Sequence, residues 1–175
     1  MRISETPAFT TDLKPDMEDA ERRWLAFWNH EIIDRPLCAI TAPRDGVEAI
    51  ASPPYLSGYE GNHQQVAERA LAAAQTMFWG GEAIPCYSPS FGPDLYAVWL
   101  GCDLKFGEAS TATSWAVPSV EDWETAGAIE LDPANAWWQQ TLAFCRVLAD
   151  TFDGHLLVAH MDQHSNMDTL LAMRG

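Results

Sequence analysis

The 175 residues, 47% apolar and 20% charged with eight tryptophans, suffice to bury one core and rule against a disordered polymer. A formal net charge of −15 with only ten lysines and arginines leaves little to neutralise phosphate, which argues against nucleic-acid partners and against an anionic membrane surface. Met1-Arg-Ile-Ser-Glu-Thr-Pro lacks the apolar centre of a signal peptide, and no apolar run is long enough to span a bilayer. Cys38, Cys86, Cys102 and Cys145 show no C-x-x-C spacing, so reduced thiols in a cytoplasmic protein are expected rather than a zinc knuckle.

Residues 1–14 read as a loose leader. Pro15 and Asp16 start an amphipathic helix that runs to His30, with Trp24, Leu25, Phe27 and Trp28 on one broad apolar face. After the connector Glu31–Pro36, Leu37–Ala42 reads as a short apolar strand. Residues 44–62, rich in Pro, Gly and Ser, form a long loop of the kind that often carries function. Helical spacing then covers Gln64–Trp79 and stops at Gly80-Gly81. Ala83–Tyr87 is a strand, Ser88–Pro93 a turn-rich loop, and Asp94 is placed to cap a helix to Leu100. Leu104–Phe106 and Ala112–Val117 are extended, Glu121–Glu124 is a polar turn, and Asn135–Phe152 is a long helix stopped near Gly154. A buried strand beginning near His155 and a final helix close the chain.

Strands alternating with helices point to an α/β fold with a parallel sheet and crossover helices. In such folds ligands lie at the C-terminal ends of the strands. That rule selects Thr41 and Arg44 after the first strand. It selects Tyr87, Ser88, Phe91 and Asp94 after the second, and His160, Asp162, His164 and Asn166 after the last. His160, Asp162 and His164 alternate, so on extended backbone they project to one side. They offer either metal ligation or an imidazole–carboxylate pair for proton transfer; the other reading is a turn in which Asp162 and Asn166 cap the next helix. Asp94 reads as a helix cap or as a general acid. Arg44 is a candidate clamp for a substrate carboxylate, and Trp115 a candidate pocket wall. There is no G-x-G-x-x-G, P-loop or G-x-S-x-G.

Arg23–Pro36, Phe78-Trp-Gly-Gly-Glu-Ala-Ile-Pro85, Phe91-Gly-Pro-Asp-Leu-Tyr-Ala-Val-Trp-Leu-Gly101, Thr113–Pro118 and Asp162–Gly175, in that order, resemble divergent proteins of the uroporphyrinogen decarboxylase superfamily. The resemblance implies a (β/α)8 barrel about twice this length. Residues 16–175 would then be its N-terminal portion, with a preceding helix. Decarboxylases of the superfamily carry an early R-Q-A-G-R-Y segment; Leu37–Arg44 stands in that region here, with only Arg44 to bind a carboxylate. They also carry an aspartate in F-S-D-I-L, shortly before a Leu-Gly pair. Counting back from Gly101, Gly92 falls at that aspartate, and Asp94 is displaced by two residues. Both departures favour the other branch, in which zinc and a corrinoid serve methyl transfer. Its zinc ligands, a His and two Cys, belong to the C-terminal half, so no metal ligand is assigned within this segment.

The resemblance therefore implies a corrinoid-dependent methyltransferase-like enzyme, acting on a small-molecule substrate or with a corrinoid protein. The alternatives are a decarboxylase of uroporphyrinogen or another polycarboxylate, and a non-catalytic half-barrel that binds a tetrapyrrole or a partner. Asp94, His160 and Asp162 are the expected catalytic groups. Arg44, Tyr87, Phe91, Trp115, His164 and Asn166 are the expected substrate contacts. A half-barrel on its own is expected to be inactive, with an open edge that favours a homodimer.

Overall fold

The computed structural model describes residues 9–107, 113–164 and 166–175. Most of the expected leader, together with Ala112 at the start of an expected strand, lies outside them. The described residues form a mixed α/β structure. In chain order the elements are α1 (Met17–Trp28), β1 (Ala39–Pro43), α2 (His63–Gln75), β2 (Met77–Gly81), β3 (Cys86–Tyr87), α3 (Leu95–Trp99), β4 (Asp103–Phe106), β5 (Ser114–Val117), α4 (Ala136–Phe152), β6 (Leu157–Val158) and α5 (Met167–Arg174).

The strands pair in twos. β1 and β2 are antiparallel, β4 and β5 are antiparallel, and β3 and β6 are parallel. No closed barrel is present among the described residues. The expected parallel sheet through all three core strands is thus corrected for the first of them. Its partner, Met77–Gly81, was expected to finish a helix. The helix ends earlier because the Thr76 hydroxyl turns back to the Ala73 carbonyl, at 2.8 Å, and frees the next residues to pair with β1. Gly81 completes the pairing at φ 58°, where a Cβ would overlap the Cys38 carbonyl. β1 is also largely exposed, not the buried strand its apolar run suggests.

The core lies between α2, α3 and α4. Val66, Ala67 and Ala70 of α2 face Phe144, Leu148 and Phe152 of α4, with Phe91, Leu95 and Val98 beneath them. Phe144 stacks on Phe91 at 5.7 Å and on His63 at 4.7 Å. Asn135 caps α4 by accepting the Trp138 N–H at 3.0 Å, and Asp153 ends the helix in the left-handed region.

Two expectations near the N-terminus are corrected. The buried side of α1 is Met17, Ala20 and Ala26, whereas Leu25, Phe27 and Trp28 are exposed, Trp28 by 72%. Small residues let α1 lie close, held by a Trp24 indole N–H donated to the Glu82 carbonyl at 2.9 Å. The Glu82 side chain is sealed from solvent, accepts both arms of Arg35 at 2.7 Å and takes the Cys38 N–H. Arg35 holds its carboxyl below the usual range. The leader is not loose throughout. Thr11 donates to the His155 carbonyl, Asp12 meets the His155 ring at 2.9 Å, and the buried Lys14 ammonium donates to the Trp79 and Gly81 carbonyls. No helix among the described residues is long and apolar enough to cross a membrane.

Candidate functional site

The parallel pair sets the site. The N–H groups of Leu157 and Ala159 reach the Pro85 and Tyr87 carbonyls at 3.0 and 2.9 Å, so β3 and β6 end side by side. The segments that leave them stay joined. Ser88 donates to the His160 carbonyl at 2.6 Å, and the His164 N–H donates to the Pro93 carbonyl at 2.9 Å. The Thr169 hydroxyl holds the His164 carbonyl at 2.8 Å.

Four polar side chains, those of Asp94, His164, Asp162 and Tyr55, come together there. His164 Nδ1 lies 3.7 Å from Asp94 Oδ1, an ion-pair distance when the ring is protonated. The Tyr55 hydroxyl donates to Asp162 Oδ2 at 2.7 Å. Burial first, and then the carboxylates of Asp162 and Asp94, push the Tyr55 phenol above its ordinary value, while Ser90 acts in the opposite sense. Two carboxylates, an imidazole and a phenol are groups of the kind that can exchange protons with a bound molecule. Tyr55 was missed in the sequence. The available signal was a hydroxyl-bearing aromatic behind Pro53-Pro54, inside the loop already singled out for its length.

Asp94 does not cap α3. One of its oxygens accepts the Ala116 N–H at 3.2 Å, tying the mouth to β5. Gly92, two residues before Asp94, has no room for a side chain. Its φ is 119°, and a Cβ there would overlap the Ser114 hydroxyl, itself bonded to the Phe91 carbonyl.

The other expected residues are placed elsewhere. Arg44 donates to the Gln75 carbonyl at the end of α2. Phe91 is fully buried in the core and cannot line an open pocket. Trp115 points outward, 41% exposed, because β5 alternates and turns Ser114 and Ala116 inward. Tyr87 borders a small cavity of about 180 Å³ with Thr41 and Cys86, and burial pushes its phenol up to about 12. Asn166, at φ 55°, makes no side-chain cap to α5. His160 is exposed like Asp162 and His164, but its ring sits over the Met161 carbonyl and borders a separate cavity of about 540 Å³. Among the described residues no three His, Cys, Asp or Glu gather closely enough to hold a metal.

No protein-family model, curated protein or solved structure matches the chain.

Proposed function

We propose that this chain is part of an enzyme of the uroporphyrinogen decarboxylase superfamily, β3 and β6 being strands of the N-terminal half of a (β/α)8 barrel. We take it to be a cytoplasmic, corrinoid-dependent methyltransferase. One observation carries the reading: Asp94, Asp162 and His164 follow two neighbouring parallel strands and meet, with Tyr55, at the carboxyl ends where barrel enzymes keep their chemistry.

The character of the mouth favours methyl transfer over removal of carboxylate arms. Two carboxylates face it, and no arginine is among the hydrogen-bond or ion-pair partners of Asp94, Asp162, Tyr55 or His164 in the described residues. Arg44, the one candidate clamp, is spent on the end of α2. These residues do not fit zinc. What they supply is proton handling by their own side chains. His164, backed by Asp94, is positioned to accept the proton that a thiol loses as its sulfur takes a methyl group. The Tyr55 hydroxyl holds Asp162 beside them at 2.7 Å.

Titration of the intact gene product with zinc and methylcobalamin, followed by assay of methyl transfer to a thiol, tests the proposal. Binding and transfer are expected, with transfer reduced about 100-fold or more by His164→Ala. No binding and no transfer would overturn it. The second reading, a decarboxylase of uroporphyrinogen or another polycarboxylate, is favoured by the closeness of Asp94 to His164, an acid beside its proton source. It requires carbon dioxide release that disappears in Asp94→Asn.

A further inference from the structure

His63 opens α2, and its half-buried ring stacks on the buried Phe144 of α4 at 4.7 Å and 23°. The ring's Nε2 is sealed from solvent and has no hydrogen-bond partner among the described residues. Gly58 packs on the other ring of the stack, so closely that a Cβ there would come within 2.8 Å of Phe144. The Gly58 carbonyl is also the one hydrogen-bonding group that acts on the His63 ring. His63, Phe144 and Gly58 thus form a single contact that fastens the loop to α4. Shortly before Gly58 in the same loop, the Tyr55 hydroxyl bonds to Asp162 at 2.7 Å.

This position suits a neutral imidazole and opposes a charged one. A protonated ring carries an N–H on both nitrogens, and the one at Nε2 would be buried without an acceptor. The charge would also stand at the first residue of a 13-residue helix, against the positive end of its dipole. No acidic residue lies in the first turn of α2, and Asn62 makes no side-chain cap. The charged groups of the neighbouring elements are engaged or face solvent. On α2, Glu68 accepts from Gln64 at 2.9 Å and Arg69 donates to the Ala51 carbonyl at 3.0 Å. On the loop, Glu60 is exposed and takes the Tyr59 hydroxyl at 3.4 Å; on α4, Arg146 and Asp150 are exposed. Only burial and the Gly58 carbonyl act on the ring's titration, and burial, the larger cause, holds it below the ordinary value of 6.5. A folded value below the unfolded one makes the contact strongest above pH 6.5 and weakens it as pH falls through the folded value. The other tie of the loop to α4 does not titrate: the Gln140 amide donates to the Gly58 and Tyr59 carbonyls at 3.3 and 2.6 Å.

We propose that His63 is an acid-sensitive latch: when its ring takes a proton it leaves the Phe144 stack, residues 55–61 come away from α4, and the Tyr55 hydroxyl is drawn off Asp162. Tyr55 is held on Asp162 at neutral pH and released as the pH falls. The latch acts on the loop whatever chemistry the mouth performs.

Amide hydrogen exchange on the intact gene product tests the proposal. The Gly61 N–H bonds to the Gly58 carbonyl and the Val66 N–H to the Asn62 carbonyl, so these two amides report on the loop and on the start of α2. Their opening, corrected for intrinsic exchange, is expected to rise about threefold or more between about pH 7.5 and about pH 5.5. The Leu148 amide, deep in α4, is expected to stay unchanged. His63→Phe keeps a ring on Phe144 without a titrating group, and is expected to abolish the response. If that variant misfolds, the titration of the His63 ring in the native protein, followed by histidine-labelled NMR, decides: it is expected below 6.5 and in step with the two amides. A ring that titrates at or above 6.5, a response shared equally by Leu148, or the same response in His63→Phe would overturn the proposal.

Discussion

The carboxylate of Asp94 receives the backbone N–H of Ala116 at 3.2 Å, although Asp94 stands one residue before α3. Its second oxygen is left to face His164. A helix cap would have turned the side chain back on its own helix. Held instead by β5, it becomes a bridge between the mouth and a separate sheet.

The same neighbourhood makes Gly92 intolerant of change. Gly92→Ala combines a left-handed φ with overlap of the Ser114 side chain, and a loss of more than about 2 kcal/mol in urea unfolding is expected. Gly92→Asp, with a larger side chain at the same position, should be at least as damaging. Adding Ser114→Gly removes the overlap but not the φ penalty, so only part of the loss should return. Wild-type stability in Gly92→Ala would refute the geometry.

Tyr55 reports on the carboxylates of the mouth. Asp162→Asn removes the nearest negative charge while leaving an oxygen to accept the phenol. The Tyr55 titration, followed by ring-labelled NMR, is expected to move down toward 10.0 without reaching it, because burial is the larger cause of the shift. An unmoved titration would mean that Asp162 does not act on Tyr55.

Phe144 joins the core to the loop that carries Tyr55. It is fully buried, stacks on both Phe91 and His63, and packs against Gly58. Phe144→Ala is expected to cost about 3–5 kcal/mol by denaturant titration. A cost below about 1 kcal/mol would show that the aromatic stack is not where the core is held.

Alkaline stability should depend on Tyr87. Burial raises its phenol from 10.0 to about 12, so the folded state binds this proton more tightly than the unfolded chain. The contribution is complete below pH 10 and is lost as pH rises from 10 through about 12. Tyr87→Phe has no such proton, and its loss of stability over that interval is expected to be shallower by circular dichroism. Identical curves for the two proteins would exclude Tyr87 as the cause.

The legible parts of the chain were those fixed by local chemistry. Helical spacing and the Asn135 cap define α4, and the spacing of Val66, Ala67 and Ala70 defines α2. The strand-end rule selected Asp94, Asp162 and His164, and the parallel pairing of β3 with β6 places the segments that carry them side by side. It failed for Arg44, because β1 pairs with a strand that helical periodicity had absorbed. Met77 continues the pattern of α2, and only the tertiary pairing with β1 pulls it out of the helix. Apolar spacing likewise does not distinguish a covered face from a bare one, so Leu25, Phe27 and Trp28 read as core while Phe91 read as a ligand contact. Tyr55 was hidden because its partner, Asp162, lies more than a hundred residues away in sequence.

The N-terminal residues 11–14 have a further consequence. Thr11 and Asp12 grip His155, just ahead of β6, while Lys14 grips the carbonyls of Trp79 and Gly81 in β2. β2 and β6 share no sheet. One tetrapeptide therefore ties the end of β2 to the start of β6, joining two sheets that share no strand. Two sheets are thus bridged by a stretch of chain that belongs to neither.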